Sequence, residues 1–371
     1  MSFGLLDRAT ATEPGVVTPT VSLSFGAAGG GLGGGLGGLG DALGGALGLS
    51  GGAGLAEGLV SLSLSRGAAP HVNWGEFVVI PIEGGAGVPS VGDEGTISFS
   101  AGKDSGNFSC IVDMVEARAD GSRRLTVSDG GRALARARME QSFADQTPGA
   151  IIASLCGEAE VQTSAGSEGG TMPQYVADGG RSLLDHVARL AQTAGKWAIF
   201  DGDGKLSLID DTAGGEAAAT LTMGGNLIDA RTATRMGSGS VAIDGAGVGE
   251  RGGNSWAWLR KEAGPHRAEA GDGATRRIPS PWVRSPDDAN TLAGSRARLM
   301  GNEAAPGRFL AVSAAGAEPG ALVDVQGTDQ DGQWRVISQA ITWDRETGFL
   351  NEITAAPAAS GGLGGVLGGL F

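Results

Sequence analysis

The sequence predicts an α+β protein, mainly β, in which short antiparallel strands stand on either side of a strand–helix insert. Three observations lead there. Apolar residues alternate with polar ones in short runs from Val21 to Ile353, the period of strands with one buried face. Turn residues part these runs, and the 69 glycines in 371 residues far exceed the average share of about 7%. Between Arg132 and Asp210 the apolar period lengthens to that of a helix in two stretches with start and stop signals.

In chain order, TPTVSLSF reads as a strand carrying Val21, Leu23 and Phe25 on one face. At Gly26 the composition changes. The tract 26–58 is Gly, Ala and Leu apart from Asp41, Ser50 and Glu57. Leu32, Leu36, Leu39, Leu43 and Leu47 have helical spacing, but each helical glycine costs about 1 kcal/mol against alanine, so the tract cannot hold a helix unaided. Three readings stay open: a disordered low-complexity insertion, a glycine-rich helix packed on identical copies inside an oligomer, and a membrane-active segment. The last is allowed because the tract exceeds the roughly 20 residues that span a bilayer.

The C-terminal SGGLGGVLGGLF repeats this chemistry, with Leu363, Val366, Leu367 and Leu370 at helical spacing. Leu32, Leu36, Leu39, Leu43, Leu47, Leu363, Leu367 and Leu370 are therefore candidates for packing in an oligomer or around its lumen. Two tracts of one unusual composition suggest that they meet in an assembled particle.

Strands resume at Leu59. LVSLSLSRG and GTISFSAG alternate, EFVVIPI is an apolar run around Phe77, and FSCIVDMVEARADGSRRLTVSDGG forms two runs turning at Asp120-Gly121. This spacing points to a small antiparallel barrel or sandwich. In the insert, RALARARMEQSF reads as β-like up to Phe143. Thr147 is placed to cap a helix that Pro148 opens, where its missing N–H removes no bond. Ile151, Ile152 and Leu155 share one face of that helix. Leu183, Leu184, Val187, Leu190, Ala191 and Ala194 form the stripe of a second helix, and Gly195 stands at its C′ stop. Trp197–Phe200 and Lys205–Ile209 join across Asp201–Gly204 as a hairpin.

Residues 211–290 are less regular. GGNLIDARTATRMGSGSVAIDGAG is strand-like, and the next segment reads as a strand pair with a long loop. An alternative is a partner-binding anchor of Trp256, Trp258 and Trp282 beside Arg276 and Arg277. ANTLAGSRARLMGNEAA is a short helix bearing Leu292, Arg296 and Leu299, and GRFLAVSAAG, GALVDVQG, GQWRVISQAITWD and GFLNEITAA are four strands.

Two stretches of the insert resemble phage late control protein D, the tail baseplate hub family. SFADQTPGAIIASLC is similar to its element of an aromatic, a short polar turn, a threonine and a helix. GGRSLLDHVARLAQTAGKWAIFDGDGKLSLID is similar to its second signature, a serine-led helix followed by a strand, a glycine turn and a strand. The same pair occurs in the hub half of type VI secretion spike proteins. The chain's end resembles the family's closing barrel at Arg296-Ala-Arg298, Pro319-Gly320 through Gly327, and Gly332 to Val336. Trp343 stands near the place of a histidine that often closes that barrel, so no role of that histidine is carried over.

The resemblance implies four parts: an N-terminal β-barrel domain over 1–130 interrupted by the Gly/Leu-rich insertion at 26–58, a strand–helix domain over 131–212, a second β-barrel domain over 213–356 with a long loop at 250–290, and a Gly/Leu-rich tail over 357–371. It implies a homotrimer forming a hub-like ring, in which two similar barrels per chain approximate six-fold symmetry. Such a hub joins the tail tube to the central spike. Its partners would be the tube or distal tail ring, the spike, the tape measure protein and baseplate wedge proteins, in a virion tail assembled in the host cytoplasm. The Gly-rich insertion departs from the family pattern.

Composition narrows the chemistry. Asp and Glu total 41 against 27 Lys and Arg, for a net charge of −14, which repels a phosphate backbone. DNA would pass through such a hub without specific binding, along an acidic lumen that does not hold it. The two cysteines, Cys110 and Cys156, make neither a disulfide framework nor a four-ligand zinc site and read as buried thiols. The first residues lack a basic segment followed by an apolar one, so no secretory signal is expected.

No HExxH, GxSxG, Walker A or paired CxxC occurs. His71, His186 and His266 fall in different segments, His186 reading as a surface or boundary residue of a helix. Asp201, Asp203 and Lys205 begin like a calcium loop, but Thr212 occupies the place of its bidentate glutamate, so a hairpin turn is expected. GAGVGERGG at Gly245 lacks the strand and helix of a dinucleotide loop. Asp210-Asp211 and Asp287-Asp288 read as solvated loop carboxylates. No catalytic, cofactor-binding or metal-ligating residue is assigned; no cofactor is expected, and the chain is expected not to be an enzyme. Two other functions are kept: the hub of a genome-free secretion or extracellular injection particle, and a Gly-rich membrane-associated adhesin or pore-forming protein that contacts membranes through the Gly/Leu tracts.

Overall fold

Strand β2 (Leu59–Gly67) pairs on one side with β3 (Trp74–Val79) and on the other with β18 (Gly332–Asp344), from near the opposite end of the chain. The computed structural model describes residues 20–26, 53–83, 87–101, 104–210, 214–233, 239–245, 267–280, 282–283, 285–304, 306–312 and 314–358. Through β2 and β18, strands from both ends enter one twelve-stranded sheet. Its path starts at β1 (Thr20–Gly26), β4 (Glu94–Ala101), β5 (Asp104–Ala117) and β6 (Arg123–Ser128), then crosses β3, β2 and β18. It ends through β19 (Gly348–Pro357), β16 (Gly307–Ala311) and β12 (Leu227–Thr232). Off this path, β17 (Leu322–Gln326) pairs antiparallel with β18, and β11 (Ala219–Thr222) adds to β17 in a parallel pairing. The fold is mainly β and antiparallel, as the alternation predicts; among the described residues no closed barrel forms.

Alternation decides which face is buried. Leu62 and Leu64 of β2, Phe77 of β3, Ile97 and Phe99 of β4 and Leu125 and Val127 of β6 form the first core. Phe309, Val323, Trp334, Val336 and Ile353 form another beneath the C-terminal strands.

The insert follows its local signals. Helix α3 (Pro148–Glu158) is capped by the Thr147 hydroxyl, which accepts from Ala150 N at 3.2 Å. Ile151, Ile152 and Leu155 are fully buried. Helix α4 (Leu183–Thr193) opens on a capping box between Ser182 and Asp185, and Gly195 beyond its end takes φ +70°. The hairpin β9 (Lys196–Phe200) to β10 (Leu206–Asp210) forms where expected, with the Asp201 carboxylate accepting from the backbone of Asp203 and Lys205. These helices and the hairpin share a core that also contains Phe143, Tyr175 and Phe200.

Several readings need correction. RALARAR is not β-like at its start: after the short helix α1 (Ala53–Glu57), Gly131–Arg136 is helix α2, since its Ala, Leu and Arg are strong helix formers. The strand is confined to β7 (Gln141–Gln146), which pairs with the unanticipated β8 (Met172–Ala177). Beyond the insert, β14 (Arg267–Asp272) and β15 (Thr275–Ser280) are present but do not pair with each other. They flank β13 (Gly239–Gly245), antiparallel on one side and parallel on the other. The next helix, α5 (Pro286–Ala304), is longer than expected because Ser285 caps it, its Oγ accepting from Asp288 N at 3.0 Å. Asp287 and Asp288 thus sit in a helical first turn, not a loop, and Asp288 is buried. The candidate leucines Leu32, Leu36, Leu39, Leu43, Leu47, Leu363, Leu367 and Leu370 lie outside the described residues, as do His266, Trp256 and Trp258.

Thr147→Ala is expected to destabilise the protein by about 1 kcal/mol, the usual value of a helix cap. Leu190→Ala, at a fully buried site, should cost about 2–5 kcal/mol. Urea denaturation midpoints at constant m-value measure both.

Candidate functional site: the polar seam between the cores

Along β2 the buried face runs Leu62, Leu64 and then Arg66, which is 1% exposed. Charge so deep requires partners. Arg66 Nη1 donates to Glu318 Oε1 at 3.0 Å, with the glutamate reaching solvent at the rim. Opposite Arg66 in the β2–β18 register lies Gln339, equally buried. Asn351 of β19 is fully buried and its Nδ2 donates to the Ala314 carbonyl. Ile341 and Phe349 belong to the first core, Val336 and Ile353 to the C-terminal one. Gln339 and Asn351 thus lie along β18 and β19 where one apolar cluster gives way to the other.

A second group adjoins this row. Asp129, directly after β6, is 4% exposed. Its Oδ2 accepts from Asn73 Nδ2 at 2.7 Å and its Oδ1 from Gly131 N at 2.8 Å, at the start of α2. Asn73 Oδ1 accepts from Gly67 N at 2.8 Å. One carboxylate therefore ties the end of β2, the approach to β3 and the first helix of the insert. Burial pushes its pKa up to about 7 against the opposing pull of these hydrogen bonds and of Arg66. Arg66 Nε and Nη2 and both polar atoms of the Gln339 side chain have no protein partner.

The other titratable candidates do not converge. His186 is fully buried rather than a boundary residue; its place between Leu183 and Leu190 on the apolar stripe of α4 was the signal. Its Nδ1 lies 2.7 Å from Tyr175 Oη and its Nε2 3.2 Å from the Asp178 carbonyl. The carbonyl can only accept, so Nε2 carries the proton and the Tyr175 hydroxyl donates to Nδ1. His71, at the surface, has Nε2 3.3 Å from Ser65 Oγ. Burial pushes both Cys110 and Cys156 thiols up to about 12, which leaves them poor nucleophiles. Among the described residues no three His, Cys, Asp or Glu side chains are grouped to hold a metal. Of the aromatic anchor, Trp256 and Trp258 lie outside the described residues; Trp282 lies 4.4 Å beneath the Arg189 guanidinium and packs into the cores of the insert and of α5, while Arg276 and Arg277 are exposed on β15.

No protein-family model matches the chain, and no curated protein does. Solved structures do. The chain is similar to the 43 kDa tail protein of prophage MuSo2 from Shewanella oneidensis, at 14% identity and a TM-score of 0.62 over 92% of this chain and 98% of that one. It is similar to a tail protein from Neisseria meningitidis, at 12% identity and a TM-score of 0.62 over 91% and 96% of the two chains. The E. coli c3393 protein, a component of the type VI secretion system, matches at 13% identity and a TM-score of 0.52 over 81% and 74%. These matches define the class: a phage-tail protein fold shared with a type VI secretion component. The likeness to the baseplate hub family, first visible in two stretches of the insert, is thus a likeness of fold extending over nearly the whole chain.

Folded Asp129 keeps its proton up to about pH 7, whereas the unfolded carboxyl releases it near its ordinary 3.8. Its contribution is therefore complete below about pH 3.8, is lost progressively as pH rises from there to about 7, and is gone above that. Urea midpoints measured from pH 4.5 to 8.5 should show stability falling by about 1 kcal/mol per pH unit up to about pH 7 and levelling off above it, and Asp129→Asn should remove the fall. Arg66→Ala, which empties a buried site while Glu318 keeps its solvent contact, should cost about 2–5 kcal/mol.

Proposed function

We propose that this chain is the non-enzymatic structural hub of a phage tail baseplate or a related contractile injection machine. It would join the tail tube to the central spike and adapt six-fold to three-fold symmetry. The observation that supports this reading most is the end-to-end likeness to the Shewanella prophage tail protein, which covers 92% of this chain and 98% of that one. In this reading the chain works as a homotrimer. The strand-rich regions 1–130 and 213–356, joined in one sheet through β2 and β18, form the ring, 131–212 bridges them and 357–371 is a tail. Its partners are the tube or distal tail ring, the spike, the tape measure protein and wedge proteins, in a virion tail assembled in the host cytoplasm. Leu32, Leu36, Leu39, Leu43, Leu47, Leu363, Leu367 and Leu370 pack against one another or line the lumen of the assembled ring.

The type VI secretion component among the matches favours a second reading within the same class, a hub of a genome-free secretion or injection particle. The Gly/Leu tracts motivate a reading from another class, a membrane-associated or pore-forming protein; among the described residues no helix is long and apolar enough to cross a membrane.

Native mass spectrometry of the full chain, alone and with a spike subunit, should give a trimer in at least one condition. A chain that stays monomeric in both and floats with liposomes would refute the hub. Deleting residues 361–371 should impair assembly; unchanged assembly would remove the packing role of the C-terminal leucines.

A further inference from the structure

Outside the seam, one surface combines the features of a recognition site. Ser128 of β6 pairs with Trp74 of β3 and with Ile111 of β5, and Thr126 pairs with Glu76 and with Met114, so these side chains share the outer face of the sheet. A groove of about 460 Å³ lies between that face and α2, lined by Val72, Trp74, Asp113, Thr126, Arg132, Ala135 and Arg136. Trp74 is 41% exposed, and Ile111 and Met114 on the same face are 39% and 47% exposed. An outer sheet face carrying an indole, a thioether and a branched aliphatic chain is not explained by the core.

The charges at the groove are unevenly matched. Arg124 is held by Glu76 and Glu116, and Arg138 donates to the Ala135 and Ala137 carbonyls. Arg132 Nε lies 2.7 Å from Asp113 Oδ1, but off the hydrogen-bond direction, since that nitrogen and the buried Asp113 Oδ2 both lack a hydrogen-bond partner. Arg136, exposed on the rim, has no acidic partner among the described residues. The groove thus offers an apolar wall and an uncompensated cation. Trp and Arg are the side chains that most often dominate binding energy at protein interfaces.

We propose that this groove docks an extended segment of another protein that presents an apolar side chain beside a carboxylate. The apolar side chain lies against Trp74, and the carboxylate meets Arg136. Arg124 is neutralised by Glu76 and Glu116 and Arg132 lies beside Asp113, so Arg136 is the charge left at the groove for a partner's carboxylate. The inference stands on the groove alone and does not require the hub reading.

The test uses the full chain labelled with 5-fluorotryptophan, its Trp74 resonance assigned with Trp74→Phe. The probes are a blocked Leu-Glu-Leu-Glu-Leu pentapeptide and its Leu-Lys-Leu-Lys-Leu counterpart. The glutamate peptide should shift the Trp74 fluorine signal and the lysine peptide should not. Arg136→Glu, an exposed substitution that leaves the fold intact, should weaken the glutamate peptide at least tenfold and let the lysine peptide bind. Equal response to both peptides, no response to either at millimolar concentration, or a Trp74 shift that follows protein concentration instead of peptide, indicating a second copy as occupant, would each overturn the proposal.

Discussion

The pairing of β2 with β18 is the constraint on which the structure rests. It joins Ser61–Gly67 to Ser338–Asp344, residues separated by most of the chain, and closing so long a loop costs conformational entropy before any contact returns it. What returns it is the burial on the shared face of Leu62, Leu64 and Ile341. Arg66 and Gln339 then stand where the pairing passes from the first core toward the C-terminal one. A guanidinium at this depth is a poor source of net stability. Its value is selectivity: a one-residue slip would turn Arg66 outward and bring a serine against the core, so the polar pair penalises the wrong register.

The insert is not a loosely attached arm. Ala69 N donates to the Ala198 carbonyl at 2.8 Å, and Ser109 N of β5 donates to the Gly202 carbonyl at the tip of the β9–β10 hairpin at 2.9 Å. At Gly320, φ is +85° and a Cβ would stand 2.1 Å from Ile209 Cδ1, so the hairpin presses against a turn that only glycine can form. Arg335 Nη1 fixes that turn by donating to the Gly320 carbonyl at 2.7 Å. Together with the Asp129 network, these contacts tie the helices to strands from both ends of the chain.

The same economy explains the absence of an assembled reactive centre among the described residues. Its buried titratable groups are occupied structurally: His186 with Tyr175, Asp288 with its own helix cap, and the two thiols in apolar surroundings. The uncommitted chemistry lies at the surface, in the groove beside α2, where binding rather than reaction is the natural outcome.

The sequence by itself determined the elements whose causes are local. Thr147-Pro148, the Ser182–Asp185 box, Gly195 and the Asp201–Gly204 turn each act within a few residues, so both helices and the hairpin were legible, and so was the period of nearly every long strand. The likeness to tail hubs was legible for the same reason, since it rests on these short signals. Where local causes conflict, reading failed: RALARAR alternates like a strand but has helix-forming composition, and β14 and β15 look like a hairpin until β13 enters between them. Only the tertiary structure decided which strand joins β2, that Arg66 and Asp129 meet within the seam, that His186 is enclosed, and that Trp74, Asp113 and Arg136 border one groove. These are meetings of residues far apart in the chain, fixed by which surfaces exclude water together, and no single segment carries that information.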